Sequence, residues 1–196
     1  VDVSHVRALA EAATHVEGLH QRLLQAAGGE GRARFELIVD RQPGLEWATD
    51  LGRNPFSVPL AVGDGAEAAR LATGAARALR VSRQSEAQAL RHIRQLLDDS
   101  TEVDTPLTAE ERGLCPPVVL LTTAAGLAGL TSHLSEALAG ELHVLVLVLD
   151  DLAGVTRNAG AVDLLPQVLA HPRAHSLSTS VAYPEHFFNG VSAALA

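Results

Sequence analysis

The sequence predicts an α/β fold. It places a parallel sheet with helices on both faces in the C-terminal half, after a mostly helical N-terminal half with short strands. In residues 118–195, short continuous apolar runs alternate with helical patterns, as in parallel strands joined by crossover helices. In residues 1–97, apolar residues recur mainly at three- and four-residue spacing, which is typical of amphipathic helices. Of the 196 residues, 47% are hydrophobic, enough to build a packed core.

The N-terminal half begins with the longest of these patterns. Helical periodicity predicts a helix over 3–26, and Gly28-Gly29 supplies a stop signal. A short strand is predicted at 35–39. A helical turn follows at 45–51, flanked by Pro- and Gly-containing turns, and extended structure resumes at 57–62.

Two helical stretches are predicted next, at 66–79 and 82–97, preceded by Gly63-Asp64-Gly65. Residues 98–106 are acidic and lack apolar periodicity, which marks the expected boundary between the two halves. We therefore expect a helical α/β segment at 1–100 and an α/β domain at 101–196.

The second half is more regular. Thr108 and Glu111 have the spacing of a capping box, which predicts one helical turn before Pro116-Pro117. The predicted strands are 118–123, 142–149 and 176–182, and the predicted helices are 126–139, 162–169 and 185–195. The chain ends on a helix where another strand is expected, so we expect the domain to be truncated at its C-terminal end.

Composition excludes several classes of function. The net charge is −8, and the basic residues form no run, which disfavours binding to nucleic acid or to an anionic membrane surface. The apolar runs are too short to span a bilayer. A single cysteine excludes an intrachain disulfide and a Cys-rich zinc site, and we expect a cytoplasmic protein. Because the chain contains no Met and begins at Val1, we expect a region excised from a longer polypeptide, or a sequence that lacks its modified residues.

Ligands of open parallel sheets bind beyond the carboxyl ends of the strands. The loop after the first C-terminal strand contains Thr122, Thr123 and Gly126, small residues that lead into a helix N-terminus where free N–H groups can face a phosphate. The loop after the next strand begins with Asp150-Asp151. Two crossover units should bring both loops to one rim of the sheet.

The C-terminal half resembles the thiamine-diphosphate-binding domain of pyruvate:ferredoxin (flavodoxin) oxidoreductases over about residues 115–196. The runs that carry the resemblance are Cys115-Pro-Pro-Val-Val-Leu-Leu, Leu145-Val-Leu-Val-Leu-Asp-Asp, Arg157-Asn-Ala-Gly and the stretch from Ser178 to Val191. Arg53-Asn-Pro-Phe-Ser-Val-Pro-Leu also looks like a segment found upstream in that family.

The resemblance implies thiamine diphosphate and Mg²⁺ as cofactors. In the family, a Gly-Asp-Gly after one strand and a polar residue after the next hold a divalent cation that bridges the pyrophosphate. Asp151 matches the second metal-ligand position and Ala153 the neighbouring backbone carbonyl, but no carboxylate lies within 122–126. The implied cofactor-binding residues are Thr122, Thr123, Gly126, Asn158 and Gly160.

The function implied is part of the oxidative decarboxylation of a 2-oxo acid, within a 2-oxoacid:ferredoxin oxidoreductase-like polypeptide. No catalytic residue is assigned, because the Glu that activates the thiazolium in related enzymes comes from a pyrimidine-binding domain without a counterpart here. We expect the chain to be inert alone and to associate with other domains of that polypeptide or with a second copy as a homodimer. Two alternatives stay open: a non-catalytic assembly domain that has lost cofactor binding, and a small-molecule binding module that uses the helix N-terminus at Gly126.

Two further motifs are assigned to other roles. The literal Gly63-Asp64-Gly65 is followed by a helix rather than by a second strand with a polar tip, so we expect Asp64 to serve a turn or a helix N-cap. The Asp150-Asp151 pair also invites comparison with receiver domains, which accept a phosphoryl group beside a Lys. The chain contains no Lys, which disfavours that mechanism.

Overall fold

The computed structural model describes residues 3–24, 35–50, 58–98, 104–113, 115–139, 142–150, 170 and 174–178. The helices are α1 Val3–Leu24, α2 Glu46–Thr49, α3 Ala66–Asp98, α4 Ala109–Gly113 and α5 Leu127–Ala139. The strands are β1 Glu36–Asp40, β2 Leu60–Gly63, β3 Val118–Thr123, β4 Val144–Asp150 and β5 Ala174–Ser178. The helices predicted at 162–169 and 185–195 lie outside the described residues.

The five strands form one sheet in the order β2-β1-β3-β4-β5, and every neighbouring pair is parallel. The predicted α/β class with a parallel sheet is therefore confirmed. The sheet is not confined to the C-terminal half, however, because β1 and β2 belong to it and β1 lies directly beside β3. Apolar residues far apart in sequence set this pairing: Leu37 is in register with Val119, and both are fully buried.

Helices cover both faces of the sheet. One face contributes a buried cluster in which Leu37 and Val39 of β1 pack with Leu45 and Ala48 from the connection to β2. On the opposite face, Ile38 of β1 lines a pocket together with residues of α3. The connections on the two sides of β1 thus lie on opposite faces, as in a doubly wound sheet.

The chain divides into two compact units. One comprises Val1–Arg34 and Arg77–Pro116, and the other comprises Phe35–Ala76 and Pro117–Ala196. The boundary expected near residue 100 does not coincide with this division. The expected boundary lies between β2 and β3, which are strands of the same sheet.

Helix α3 is continuous over 33 residues, whereas the sequence predicted two helices, at 66–79 and 82–97. Arg80, Val81 and Ser82 impose no backbone restriction that would end a helix, so the helix continues through them. Among the described residues, none of the helices combines the length and the apolar character that a bilayer crossing requires.

A buried arginine, Arg91, stabilises the first unit through several hydrogen bonds. Arg91 donates from Nη1 to the backbone and side-chain oxygens of Thr105, both at 2.6 Å, and from Nη2 to the Pro106 carbonyl at 3.2 Å and to Glu111. The predicted capping box is confirmed. The Thr108 N–H donates to the Glu111 carboxylate at 2.8 Å, and the Glu111 N–H donates to Thr108 Oγ1 at 3.2 Å.

Candidate functional site at the carboxyl edge of the sheet

The carboxyl ends of β1, β2 and β3 meet at one edge of the sheet. From β1 the chain moves outward to β2, and from β2 it crosses back to β3 on the other side of β1. This reversal of direction is the topological switch point, where open α/β sheets place their ligands. Asp40 ends β1 and Thr122 lies near the end of β3, so these two residues occupy the switch point.

Asp40 is the centre of a buried hydrogen-bond network. Its side chain is fully buried, and Oδ2 accepts a hydrogen bond of 2.8 Å from the hydroxyl of Thr122. Its Oδ1 accepts the backbone N–H of Gly65, also at 2.8 Å. A buried carboxylate is costly unless it is hydrogen-bonded, and here each oxygen has a donor from a different neighbouring segment. Asp40 therefore ties the ends of β2 and β3 to the end of β1.

Gly126 closes the space above this network. A Cβ added at Gly126 would lie 2.5 Å from Thr122 Oγ1, 2.6 Å from Asp40 Oδ2 and 2.8 Å from Gln42 Cγ. These separations are shorter than van der Waals contact, so only glycine fits at this position. The start of α5 consequently lies directly against the Asp40 carboxylate.

The N–H of Gly126, which we expected to face a phosphate, bonds within its own loop. It donates to the Thr123 carbonyl at 3.0 Å and lies 3.2 Å from Thr123 Oγ1. The Gly126 N–H is thus satisfied within the turn that follows β3. The Thr122 hydroxyl is committed to Asp40 as well.

Gly63-Asp64-Gly65 forms the turn before α3, as expected. Gly65 adopts φ +48°, a left-handed conformation that glycine accepts most readily, and this directs its N–H to Asp40. The Asp64 carbonyl accepts the N–H of Glu67 in the first turn of α3. The Asp64 carboxylate lies 3.4 Å from Arg41 Nη1, in an exposed ion pair that adds little stability.

Three of the predicted site residues lie in the part of the chain that the structure describes. Thr122, Thr123 and Gly126 lie together at the end of β3. The tips of β3 and β4 share one rim, as predicted, and the Ala124 N–H donates to the Leu149 carbonyl at 3.1 Å. The remaining predicted ligands, Asp151, Ala153, Asn158 and Gly160, lie outside the described residues.

Sequence reasoning missed Asp40. The available signal was an apolar strand, Leu37 to Val39, that ends in a carboxylate, which is the pattern that singled out Asp150. Its neighbours in space could not be inferred, because Thr122 lies 82 residues further along the chain.

Several described polar groups at this edge already take part in hydrogen bonds within the protein. A pyrophosphate bridged by Mg²⁺ needs free backbone donors and free oxygen ligands, whereas the Gly126 N–H, the Thr122 hydroxyl and both Asp40 oxygens already bond to one another or to the adjacent loop. In the described ranges, no three side chains among His, Cys, Asp and Glu are grouped so that they could hold a metal ion.

Comparisons of the chain with protein-family models, with curated proteins and with solved structures found no match.

Proposed function

We propose that this chain is a non-catalytic, divergent domain of a 2-oxoacid:ferredoxin oxidoreductase-like polypeptide, and that it serves the assembly of that polypeptide. The observation that carries the proposal is the closed Asp40 network. At the place where a doubly wound sheet would bind a ligand, Thr122, Gly65 and Gly126 bond to or contact the Asp40 carboxylate.

The sequence supports the same conclusion. The loop after β3 reads Thr122-Thr-Ala-Ala-Gly126 and has no carboxylate where the resembling family carries its metal-binding Asp. Loss of a charged oxygen ligand removes much of the affinity of a hard cation. In this proposal the sheet descends from the thiamine-diphosphate-binding type, the protein is cytoplasmic, and its partners are the other domains of the larger polypeptide or a second copy of the chain.

The small-molecule alternative at the Gly126 helix N-terminus receives less support. That mode of binding requires outward-facing N–H groups, and the Gly126 N–H donates within its own turn. A different pocket, bordered by α3 and β2, is better suited to a small ligand.

Calorimetric titration of the full chain with thiamine diphosphate and Mg²⁺ tests the proposed loss of cofactor binding. We expect no saturable heat at millimolar cofactor. We also expect no rise in Tm, because a ligand that binds only the folded state raises its stability by mass action. Each component titrated alone is the control for nonspecific heat. A saturable heat that disappears in Asp151→Ala would overturn the proposal and restore the cofactor-competent alternative.

A further inference from the structure

Helix α3 and the edge of the sheet border an open pocket of about 540 Å³. Its walls are Ile38 of β1, Leu60 of β2, and Leu71 and Gly74 of α3, and most of the lining surface is apolar. Pockets of roughly 300–1,000 Å³ with apolar walls and few polar groups are typical of small-molecule sites. All the lining residues belong to the second compact unit.

Small residues of α3 border the pocket beside a short edge strand. Strand β2 has four residues and lies at the edge of the sheet. Gly74 of α3 has no heavy atom within 4 Å of the position that a Cβ would occupy. Glycine in a helix interior lowers helix stability relative to alanine, and at this exposed position it leaves the border of the pocket open.

Glu36 is the polar group that distinguishes this pocket. It begins β1 and is partly buried, and among the described residues its carboxylate has no hydrogen-bond or ion-pair partner. Burial raises the pKa of Glu36 above its ordinary value, because removing a carboxylate from water disfavours its charged form. A cation placed beside it would compensate this cost.

Apart from Glu36, the charged groups of the lining carry one charge of each sign, so the preference of the pocket is set by Glu36. Glu67 and Arg70 lie on α3 and are both exposed to solvent. With Glu36, the lining carries two carboxylates and one guanidinium. An anionic ligand would bring its charge toward Glu36, whereas a cationic one would be attracted to the pocket.

We propose that this pocket binds a small amphiphilic amine, with its apolar body against Ile38, Leu60 and Leu71 and its ammonium group paired with Glu36. The pocket does not include Asp40, Thr122 or Gly126, so this inference goes beyond the proposed function and is tested separately from it.

Octylamine is the probe, and octanol and octanoate are matched ligands with the same chain length and a neutral or anionic head group. Titrations of the ¹⁵N-labelled chain would follow the amide resonances of Ile38, Ala61 and Gly74. We expect saturable shifts with octylamine at millimolar concentration or below. We expect weaker binding of octanol and the weakest binding of octanoate.

Two variants test the two halves of the proposal. Glu36→Gln keeps the shape of the side chain and removes its charge, and it should weaken octylamine binding about tenfold. Gly74→Leu adds a large side chain at the border of the pocket and should also weaken binding, and leucine is a better helix former than glycine. Glu11→Gln and Gly18→Leu are the matched controls on α1. Glu11 is exposed, and Gly18 also has open space around its Cβ position, so both should bind like the parent chain.

Several results would overturn the inference. These are the absence of saturable octylamine binding, octanoate binding as tightly as octylamine, or undiminished binding in either Glu36→Gln or Gly74→Leu. If Glu36→Gln does not fold, the ratio of octylamine to octanol affinity in the parent chain decides the ionic half, and a ratio near one contradicts it.

Discussion

The hydroxyl of Thr122 donates a 2.8 Å hydrogen bond to Oδ2 of Asp40, and both side chains are fully buried. The bond joins the ends of two neighbouring strands whose residues are 82 positions apart in the chain. The Gly65 N–H on the other carboxylate oxygen extends the connection to the end of β2. At the switch point of this sheet, both oxygens of the Asp40 carboxylate therefore accept hydrogen bonds from neighbouring segments. We expect these hydrogen bonds to stabilise the fold.

A double-mutant cycle tests this bond. Asp40→Ala leaves the Thr122 hydroxyl and the Gly65 N–H without their acceptor, which should cost about 2–4 kcal/mol of unfolding free energy. Thr122→Val should cost about 1–3 kcal/mol in the parent chain, because Asp40 loses a donor. In the Asp40→Ala background it should cost little, which gives a coupling energy of about 1–2 kcal/mol in urea unfolding.

Thr73→Val is the matched control for the cycle. Thr73 is also a buried threonine, but its hydroxyl donates to the Ala69 carbonyl one turn earlier in α3. Its cost should be the same with or without Asp40. Additive costs for Asp40→Ala and Thr122→Val would contradict the network.

Two glycines near the start of α5 should respond oppositely to alanine. Gly126→Ala places a methyl group within 2.8 Å of Thr122, Asp40 and Gln42, and it should cost about 2 kcal/mol or more of unfolding free energy. Gly129→Ala meets only the Cα of Gly65, at 3.4 Å, and it lies inside the helix. It should be neutral or stabilise by up to about 1 kcal/mol. Equal thermal unfolding of the two variants would show that Gly126 is not closely packed.

Much of the local structure could be predicted from sequence. Strand β3 has the predicted bounds, 118–123, because a continuous apolar run lies between Pro117 and the small residues of the next turn. The capping box of Thr108 and Glu111 was also predictable, because both partners lie within one turn of helix. Each of these features depends on residues close together in the chain.

The long-range features were not predictable in the same way. The position of β1 beside β3 depends on contacts across a connection that includes the whole of α3, and periodicity carries no information about strand order. The role of Asp40 depends on that order, because it is the order that brings Thr122 beside it. For the same reason, the two strands of the N-terminal half were expected outside the main sheet.

Lowering the pH should remove the stabilisation that the Glu111 carboxylate gives to the first unit. The Thr108 N–H and the Arg91 guanidinium, both bonded to its carboxylate, lower the pKa of Glu111 below its ordinary value of 4.5. A lowered pKa stabilises the folded state above pH 4.5, and this stabilisation is lost as the pH falls through the pKa of the folded state. Glu111→Gln should therefore lower Tm at pH 7, and the difference from the parent chain should shrink below pH 4.5.

Glu17→Gln is the control for this pH profile. Glu17 is exposed on α1 and forms no ion pair with a described residue, so its replacement should leave Tm nearly unchanged from pH 3 to pH 8. A Glu111→Gln difference that persists undiminished at pH 3 would instead indicate a loss of packing.

Glu36 should show the opposite dependence on pH. Burial raises its pKa above 4.5, so at neutral pH the folded state bears the cost of an ionised, partly desolvated carboxylate. That cost is absent at low pH, where the carboxyl group is protonated in both states. Glu36→Gln should thus raise Tm at pH 7 to 8, and the gain should vanish as the pH falls toward 4. Glu67 and Arg70, the other charged groups of the pocket, are exposed, and Glu67→Gln should change Tm little at any pH. A lower Tm for Glu36→Gln at pH 7 would mean that the carboxylate has a stabilising cationic partner within the chain, and the pocket would then have no unmet negative charge to offer an amine.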